Sequence, residues 1–378
     1  MTAVKFLHTA DWQLGMRRHF LSDESLPRFM QARIDAIRTI ADLAAGERCA
    51  FVVVSGDIWE SNQLDRRTIG LTLDALATVS CPVYLLPGNH DPLDAGSILR
   101  TRSFVENKPA NVHVLDSTTP IEVAPRVRVM GVPWISKNAV RDLVMEACDR
   151  LEPNPDYLTI CVGHGIVDEL SPNVDEPSLI SLSHMQVAIE QGLVQYFALG
   201  DRHSTTELAP RIWYSGAPEP TDYDELDSGN VLLVQLSDDT CQVTPHRTGK
   251  WHFVRETLEF SSAEDVDAAP RHLQEMPNKE VTILKLALKG ALGLAAMTRL
   301  ESELDKLRDL FAALEIWEQH TDLVVLPDQL DLDKLGLAGF ARATAQELQA
   351  TASSNGADAA TARDALALLY RLTLQVGS

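Results

Sequence analysis

The first hundred residues alternate short runs of apolar and β-branched residues with longer amphipathic segments, and this alternation limits the possible folds more than any other feature of the chain. Residues 4–11, 49–57 and 81–91 each contain an apolar run typical of a strand. Residues 28–45 and 66–79 place apolar side chains at helical spacing. A β-α-β-α-β order of this kind predicts a sheet covered by helices.

The chain between residues 111 and 246 contains eight further strand-like runs with less helix between them. The change from alternating to strand-rich sequence indicates a second sheet that stacks on the first. We therefore predict an α/β fold, a four-layer αββα sandwich, for the N-terminal part of the chain.

The composition changes near Phe260, and a smaller unit follows. Residues 281–290 alternate as a strand does, and Thr298 with Glu301 forms a capping-box pattern that predicts the start of a helix. Four leucines of that helix share one face, namely Leu300, Leu304, Leu307 and Leu310. The pattern predicts a smaller α+β domain.

The C-terminal end contains a predicted linker and a last helix. Residues 352–361 are small and polar, and residues 362–376 form an apolar helical pattern. A single helix of that length is marginal in water without a docking surface. The predicted organisation is a domain of residues 1–255, a capping domain of residues 256–350, and a linker with a helix in residues 351–378.

Bulk composition excludes several classes of protein. The chain has 378 residues, of which 45% are hydrophobic and 23% charged, and it contains no apolar run of about 18 residues that would cross a bilayer. The N-terminal segment lacks the features of a signal peptide, and five widely spaced cysteines form no C-x-x-C pair. We expect a soluble, cytoplasmic protein with reduced thiols and no membrane partner.

The formal net charge of −21 argues against a chain coated in basic, nucleic-acid-binding surface. Nearly all of the acidic excess follows residue 150, however, and the first 150 residues are close to neutral. The acidic stretch 219–229 does not match a calcium loop, so we interpret it as a solvated rim. A local path for a polyanion therefore stays open in the N-terminal part.

Five predicted strands end in polar residues that would be out of place in the core. The five segments are "HTADWQ" with Asp11 and Gln13, "SGDIWE" with Asp57 and Glu60, "PGNHDP" with Asn89, His90 and Asp91, "VGHG" with His164, and "LGDRHS" with Asp201 and His203. Ligands of α/β sheets bind at the carboxyl ends of strands, so we expect these side chains to meet.

Each of these segments alone is typical of a tight turn or a helix cap. All five in order, each directly after a strand, favour a metal centre instead. Oxygen ligands mixed with imidazole suit two divalent ions about 3.5–4 Å apart, which activate a water molecule and hold a phosphate.

The ordered set D-x-[H/Q], G-D, G-N-H-D, G-H and G-[H/D]-x-H resembles the motifs of the calcineurin-like metallophosphoesterase superfamily. Within that superfamily, "HTADWQLG" and "WYSGAPEPTDYDELDSGNVLLVQL" resemble segments of the SbcD DNA-repair nucleases. The resemblance covers residues 1–250.

The resemblance implies a role for each matching residue. The implied metal ligands are Asp11, Gln13 and His203 for the first ion, Asp57 as the bridge, and Asn89, His164 and Asp201 for the second ion. His90 would stabilise the transition state or protonate the leaving oxygen, and a water molecule between the ions would be the nucleophile. Arg17 and Arg18 could hold a phosphate backbone, although a solvated basic loop is an equal alternative.

Three positions depart from the family pattern. Gln13 stands where a metal-binding histidine is usual, Asp201 replaces the first histidine of G-H-x-H, and Glu60, a candidate for substrate contact, replaces a histidine beside the metals. A glutamine carbonyl is a weak neutral ligand, so the first site should lose affinity. Asp201 adds a hard, negative oxygen to the second site, which favours Mn²⁺, with Mg²⁺ as the alternative, over zinc or copper.

The resemblance implies a manganese-dependent exonuclease and endonuclease that processes DNA in repair. Its implied partners are DNA, an SbcC-like ATPase that docks on the C-terminal helix, and a second copy of the chain. Two alternatives stay open. The acidic balance mildly favours a phosphoesterase for a small molecule such as a nucleotide, and Gln13 motivates a non-catalytic interaction subunit.

Overall fold

The computed structural model describes residues 3–171, 178–262, 264–326 and 337–352, together with 358–359, 361–362, 365–366 and 368–369. The chain divides into two compact units. The first contains Met1–His19 and Asp23–Trp251, and the second contains Phe20–Ser22 and His252–Ser378.

The described strands are, in chain order, β1 (Ala3–Thr9), β2 (Val52–Ser55), β3 (Val83–Leu86), β4 (Val112–Val114), β5 (Ile121–Ala124), β6 (Val127–Gly131), β7 (Leu158–His164), β8 (Tyr196–Gly200), β9 (Thr206–Ala209), β10 (Ile212–Tyr214), β11 (Asn230–Ser237), β12 (Cys241–Arg247), β13 (His252–Phe260), β14 (Thr282–Gly293), β15 (Ala313–Ile316) and β16 (Asp322–Leu326).

The described α-helices are α1 (Ser25–Gly46), α2 (Arg66–Leu76), α3 (Arg102–Asn107), α4 (Leu143–Cys148), α5 (Leu182–Glu190), α6 (Asp265–Glu275), α7 (Leu294–Arg308) and α8 (Gly339–Ala352). None of the helices in the described part of the chain combines the length and the apolar character that a membrane span requires.

The first sheet has the strand order β12-β11-β1-β2-β3-β4, and its four strands from β1 to β4 run parallel. Alternate residues of β1 point to opposite faces. Leu7 joins the core beneath α1 and α2, whereas Phe6 joins a core on the other side. The predicted spacing of α1 is confirmed, because Phe29, Ile34 and Ile37 of that helix are buried.

The second sheet has the order β5-β6-β7-β8-β10-β9 and stacks on the first. Their shared core contains Phe6 and Phe51 from the first sheet and Ile160 and Tyr196 from the second. A third core lies between the second sheet and helices α4 and α5. The layers therefore follow the order helix, sheet, sheet, helix, and the predicted αββα sandwich is confirmed.

The second unit contains a sheet in which β14 pairs with β13, β15 and β16. All three pairings are parallel, with α6 between β13 and β14 and α7 after β14. This differs in one detail from the predicted α+β arrangement, since the described helices and strands form β-α-β units. Residues 252–255, which the predicted boundary assigned to the first domain, form the start of β13.

The predicted start of the helix in this unit is wrong. Helix α7 begins at Leu294 after Gly293, so Thr298 lies inside the helix and its hydroxyl donates to the Leu294 carbonyl. Three of the four predicted apolar residues are buried, whereas Leu310 follows the helix and is 42% exposed. The predicted linker and last helix lie mostly outside the described residues, and that prediction stays open.

Candidate metal centre

The polar residues at the five strand ends meet at one edge of the sandwich. Asp11 and Gln13 follow β1, Asp57 follows β2, and Asn89 follows β3. On the facing sheet His164 is the last residue of β7, and Asp201 follows β8. Ligand atoms of Asp11, Asp57 and His164 lie within 4.8 Å of one another, and all three residues are buried.

The backbone at these strand ends is strained. Asp11, Gln13, Asp57 and Asp201 all have positive φ angles, of 53°, 49°, 53° and 97°. Residues other than glycine adopt this region rarely, and such strain concentrates at functional sites. The turn explanation alone does not account for four strained polar residues whose side chains converge.

Two glycines allow the strands to approach each other closely. A Cβ atom on Gly56 would lie 2.1 Å from Nδ1 of His164, and Gly56 has a φ angle of 92°. A Cβ atom on Gly88 would lie 2.2 Å from Oδ1 of Asp57. The G-D and G-N motifs therefore contain glycine because the ligand side chains occupy the space that a larger residue would need.

We call Asp57, Asn89, His164 and Asp201 the second metal site. Nε2 of His164 lies 3.4 Å from Asp57 Oδ1 and 3.6 Å from Asp201 Oδ1. The inward atom of the Asn89 amide lies 2.9 Å from His164 Nε2 and 3.2 Å from both Asp57 oxygens. If the inward atom of the amide is nitrogen, it donates to these acceptors. If the inward atom is oxygen, it accepts from His164 Nε2 only when that ring is protonated, and it faces both Asp57 oxygens, an arrangement that a cation stabilises.

The ring of His164 is held by the backbone. Its Nδ1 donates to the Ser55 carbonyl at 2.8 Å, because a carbonyl can only accept. The His164 carbonyl in turn accepts a hydrogen bond from Nε1 of Trp134 at 2.7 Å. This arrangement directs Nε2 into the site, and metal-binding histidines are commonly oriented in this way.

We call Asp11, Gln13 and His203 the first metal site, which shares Asp57 with the second. Both carboxylate oxygens of Asp11 accept from the backbone N–H of Asp201, at 3.0 and 3.1 Å. Nε2 of Gln13 donates to Asp57 Oδ2 at 3.0 Å. Among the described residues, Oε1 of Gln13 is buried and accepts no hydrogen bond.

His203 is held by a loop that we predicted to be a solvated rim. Its Nδ1 lies 2.6 Å from Thr221 Oγ1 and 3.1 Å from Glu225 Oε1. Glu225 also accepts from the N–H and the hydroxyl of Thr221, and its side chain is only 7% exposed. A carboxylate behind one ring nitrogen fixes the other as a metal ligand. The rim interpretation is therefore wrong for Glu225.

Burial and the close approach of carboxylates and histidines shift the pKa values of the site residues. Burial raises the pKa of Asp11 to about 7, although the charges of His203 and His164 oppose this. Burial alone would lower the pKa of His164, but Asp57, Asp201 and Asp11 outweigh it and raise that pKa well above its ordinary value. Without a metal ion the crowded carboxylates hold protons on the histidines. Binding of a divalent ion would replace those protons.

His90 lies next to Asp57. Its backbone N–H donates to Asp57 Oδ1 at 3.0 Å, and its Nδ1 donates to the Glu60 carbonyl at 3.0 Å. Among the described residues, the other ring nitrogen of His90, Nε2, makes no hydrogen bond. Oε2 of Glu60 is buried without a hydrogen-bond partner among the described residues.

Asp91, to which we assigned no role, fixes the loop that presents Asn89 and His90. It is fully buried, and its two oxygens accept from the backbone N–H groups of Gly88 at 2.7 Å and Trp59 at 3.1 Å. The carboxylate ties the end of β3 to the end of β2. The sequence placed Asp91 in the G-N-H-D motif but gave no signal for this role, which depends on contacts with the end of β2.

The two arginines predicted to contact substrate differ in their environment. Arg18 donates to the Thr221 carbonyl and lies 3.3 Å from Asp222 Oδ2, so it holds the loop behind His203. Arg17 is exposed. Among the described residues its guanidinium makes no hydrogen bond or ion pair.

The residues present fit a divalent ion at the buried cluster of Asp11, Asp57 and His164, and a pair of ions stays a prediction. The second site offers two carboxylates, an amide and an imidazole, which suit Mn²⁺ or Mg²⁺. Of the residues predicted for the first site, Asp11 and Asp57 belong to this cluster and would hold an ion, whereas His203 lies outside the cluster. The buried Gln13 Oε1, an acceptor without a donor, is an atom that a bound cation would satisfy.

The chain is similar to one family model and to several solved structures. Residues 4–174 match the family model described as calcineurin-like phosphoesterase. No curated protein matches the sequence. The solved structure of TT1561 from Thermus thermophilus is similar, with 13% identity, a TM-score of 0.40, and coverage of 65% of this chain and 99% of that one.

A dimetal phosphatase from Danio rerio is similar at 12% identity and a TM-score of 0.40, with coverage of 65% of this chain and 96% of that one. The family model matches part of the first unit, and over those residues the chain is similar to calcineurin-like phosphoesterases. This similarity and the buried cluster of Asp11, Asp57 and His164 together favour a phosphoesterase that uses divalent metal ions. The closer resemblance to SbcD stays a prediction.

Proposed function

We propose that the first unit hydrolyses phosphodiester bonds in DNA with two divalent ions, of which Mn²⁺ suits the ligands best. The observation that supports the proposal most is that Asp11, Asp57 and His164 are buried and that their ligand atoms lie close together. Among the described residues no lysine or arginine forms an ion pair with the carboxylates of this cluster, so their charge is left for a metal ion.

When bound, the two ions supply an activated water molecule and stabilise the charge that develops on the phosphoryl oxygens. The protein positions the groups around them. Asp57 lies between the two sites and accepts from Gln13 and from the His90 backbone. The Glu60 carbonyl accepts from Nδ1 of His90, so Nε2 of the doubly protonated ring could donate a proton to the leaving oxygen.

The choice of DNA as substrate is supported by the sequence. Two segments, "HTADWQLG" and "WYSGAPEPTDYDELDSGNVLLVQL", resemble those of SbcD nucleases, and the first 150 residues are close to neutral. By the same resemblance we propose action in DNA repair, an SbcC-like ATPase as a partner of residues 361–376, and a homodimer.

The experiment compares two substrates at the same Mn²⁺ concentration. We expect the protein to cleave end-labelled duplex DNA and, more slowly, bis-p-nitrophenyl phosphate. Asp57→Asn should abolish both reactions, whereas Asp74→Asn, at an exposed carboxylate of α2, should leave them unchanged. Turnover of the small ester alone would contradict the DNA proposal and favour a small-molecule phosphoesterase.

A second candidate is an interaction subunit that lost catalysis with the first metal site. The observation that favours it is the hydrogen bond from Gln13 Nε2 to Asp57, which uses the bridging carboxylate as an acceptor. Under this candidate the wild type is inactive and Gln13→His creates activity. An active wild type would exclude it.

A further inference from the structure

A pocket of about 390 Å³ opens between α1 and α2, beside the loop that follows the first metal site. Leu26, Met30 and Ile34 of α1 and Leu71 of α2 form its apolar walls. The loop residue Gly15, two positions after Gln13, also lines it. This volume lies within the range of roughly 300–1,000 Å³ that small-molecule sites occupy.

Two arginines stand at the rim of this pocket, Arg17 from the loop and Arg67 from the first turn of α2. Both are exposed. Among the described residues neither guanidinium forms a hydrogen bond or an ion pair. In a chain with a net charge of −21, two cations without a carboxylate partner beside one pocket are unexpected.

The acidic residue at the same rim is used elsewhere. Asp65 is the N-cap of α2, and its carboxylate accepts from the backbone N–H of Thr68 at 2.8 Å and from the Thr68 hydroxyl at 3.1 Å. The hydrogen bonds from Thr68 and, to a smaller extent, the charge of Arg17 lower the pKa of Asp65. Among the described residues, Arg17 and Asp65 form no ion pair. Of the three charged residues that line the pocket, two are therefore positive and free to bind an anion.

We propose that this pocket binds a nucleoside monophosphate, with the base between the apolar walls and the phosphate on Arg17 and Arg67. The pocket is too apolar for inorganic phosphate alone, and its rim is too basic for a purely apolar ligand. A thioether such as that of Met30 packs favourably on an aromatic ring, and a guanidinium pairs with phosphate in bidentate geometry. The site goes beyond the proposed function because binding here requires no metal ion.

The test uses the full chain in EDTA and calorimetric titration with dAMP. We expect saturable binding, with adenosine and inorganic phosphate each at least roughly tenfold weaker, because each lacks one half of the ligand. Arg17→Ala and Arg67→Ala should each weaken dAMP binding roughly five- to tenfold. Arg66→Ala is the matched control, since Arg66 is exposed on the same helix but does not line the pocket.

Met30→Trp places a larger side chain in the pocket and should abolish dAMP binding. The proposal would be overturned if Arg17→Ala and Arg67→Ala left the dAMP affinity unchanged, as we expect Arg66→Ala to do. So would the absence of dAMP binding to the wild type. Both arginines are exposed, so these variants test the site even if Met30→Trp fails to fold. Because EDTA removes metal-dependent cleavage, failure here is distinguishable from failure of the proposed function.

Discussion

We predict that His164 and His203 each bind one of two metal ions through Nε2, and the protein holds the two rings in different ways. His164 ends a strand, and its Nδ1 donates to a backbone carbonyl of the neighbouring sheet. His203 lies in a loop, and its Nδ1 depends on the side chains of Glu225 and Thr221, roughly twenty positions further along. The second site is therefore fixed by the sandwich itself, and the first by a loop.

The remaining ligands increase this difference. Both predicted sites offer two carboxylates, one amide and one imidazole, but Nε2 of the Gln13 amide already donates to Asp57. A site whose ligands are already held in place loses less free energy when it binds an ion. We expect the second site to bind Mn²⁺ more tightly than the first.

The largest effect should come from the residue that the two sites share. Asp57→Asn removes the bridging charge, so Mn²⁺ binding should be lost at both sites and hydrolysis should fall roughly a thousandfold or more. Calorimetry and the rate of phosphodiester cleavage measure the two effects. If Asp57→Asn still binds two ions, the two halves are independent and the comparison fails.

The next effect should be confined to the first site. Glu225→Gln removes the carboxylate behind His203, and we expect the first site to lose affinity for Mn²⁺ by roughly 10- to 100-fold while the second site is unchanged. The nitrogen chemical shifts of the His203 ring report the tautomer directly. Glu207→Gln, at an exposed carboxylate of β9, is the control. Equal loss at both sites would indicate a structural role only.

The converse change should strengthen the first site. Gln13→His replaces a weak amide oxygen by an imidazole, so we expect a gain of roughly tenfold in Mn²⁺ affinity there and none at the second site. Titration of the variant beside the wild type measures this. An unchanged first site would mean that Gln13 already serves as well as histidine does.

The smallest effect at neutral pH should come from His8, which joins the two sheets beneath both sites. Its Nδ1 lies 3.1 Å from the Tyr196 hydroxyl, and its Nε2 lies 3.1 Å from the Leu199 carbonyl. Burial lowers the pKa of His8 to about 3. Below its ordinary pKa of about 6.5, the unfolded chain binds a proton that the folded chain excludes, so stability falls as the pH falls from about 6.5 towards 3.

His8→Gln should remove this dependence. Urea unfolding in EDTA measures the free energy of unfolding at each pH. As the pH falls, this free energy should decrease less steeply in the variant than in the wild type, by up to about 1.4 kcal/mol per pH unit. The metal affinities at neutral pH should change by the same factor at both sites, since His8 supports both sheets. A change in metal affinity at one site alone would show that His8 supports only that site.

Much of the fold and of the second site could be predicted because the information is local. Each ligand follows its own apolar strand, and parallel strands bring their carboxyl ends to one edge. Asp57, His164 and Asp201 meet for that reason. The helix start in the second unit was predicted wrongly at Thr298, because a capping-box pattern also fits the interior of a helix that begins earlier.

The residues that orient the ligands could not be predicted in the same way. Glu225 belongs to an acidic stretch, and only the folded loop shows that it is buried behind His203. Asp91 is equally polar in sequence, yet its carboxylate is occupied by two backbone N–H groups. Such roles depend on contacts between distant segments, which spacing along the chain does not encode. For the same reason the sequence alone did not indicate that Arg17 and Arg67 lie at the rim of one pocket. Among the described residues their guanidinium groups form no hydrogen bond or ion pair.

Calorimetric titration of the metal-free wild type with Mn²⁺ tests the central claim most directly. We predict two binding events of unequal affinity, the tighter retained in Glu225→Gln and the weaker reduced. No binding at all, or two events of equal affinity that respond equally to Glu225→Gln, would contradict the account.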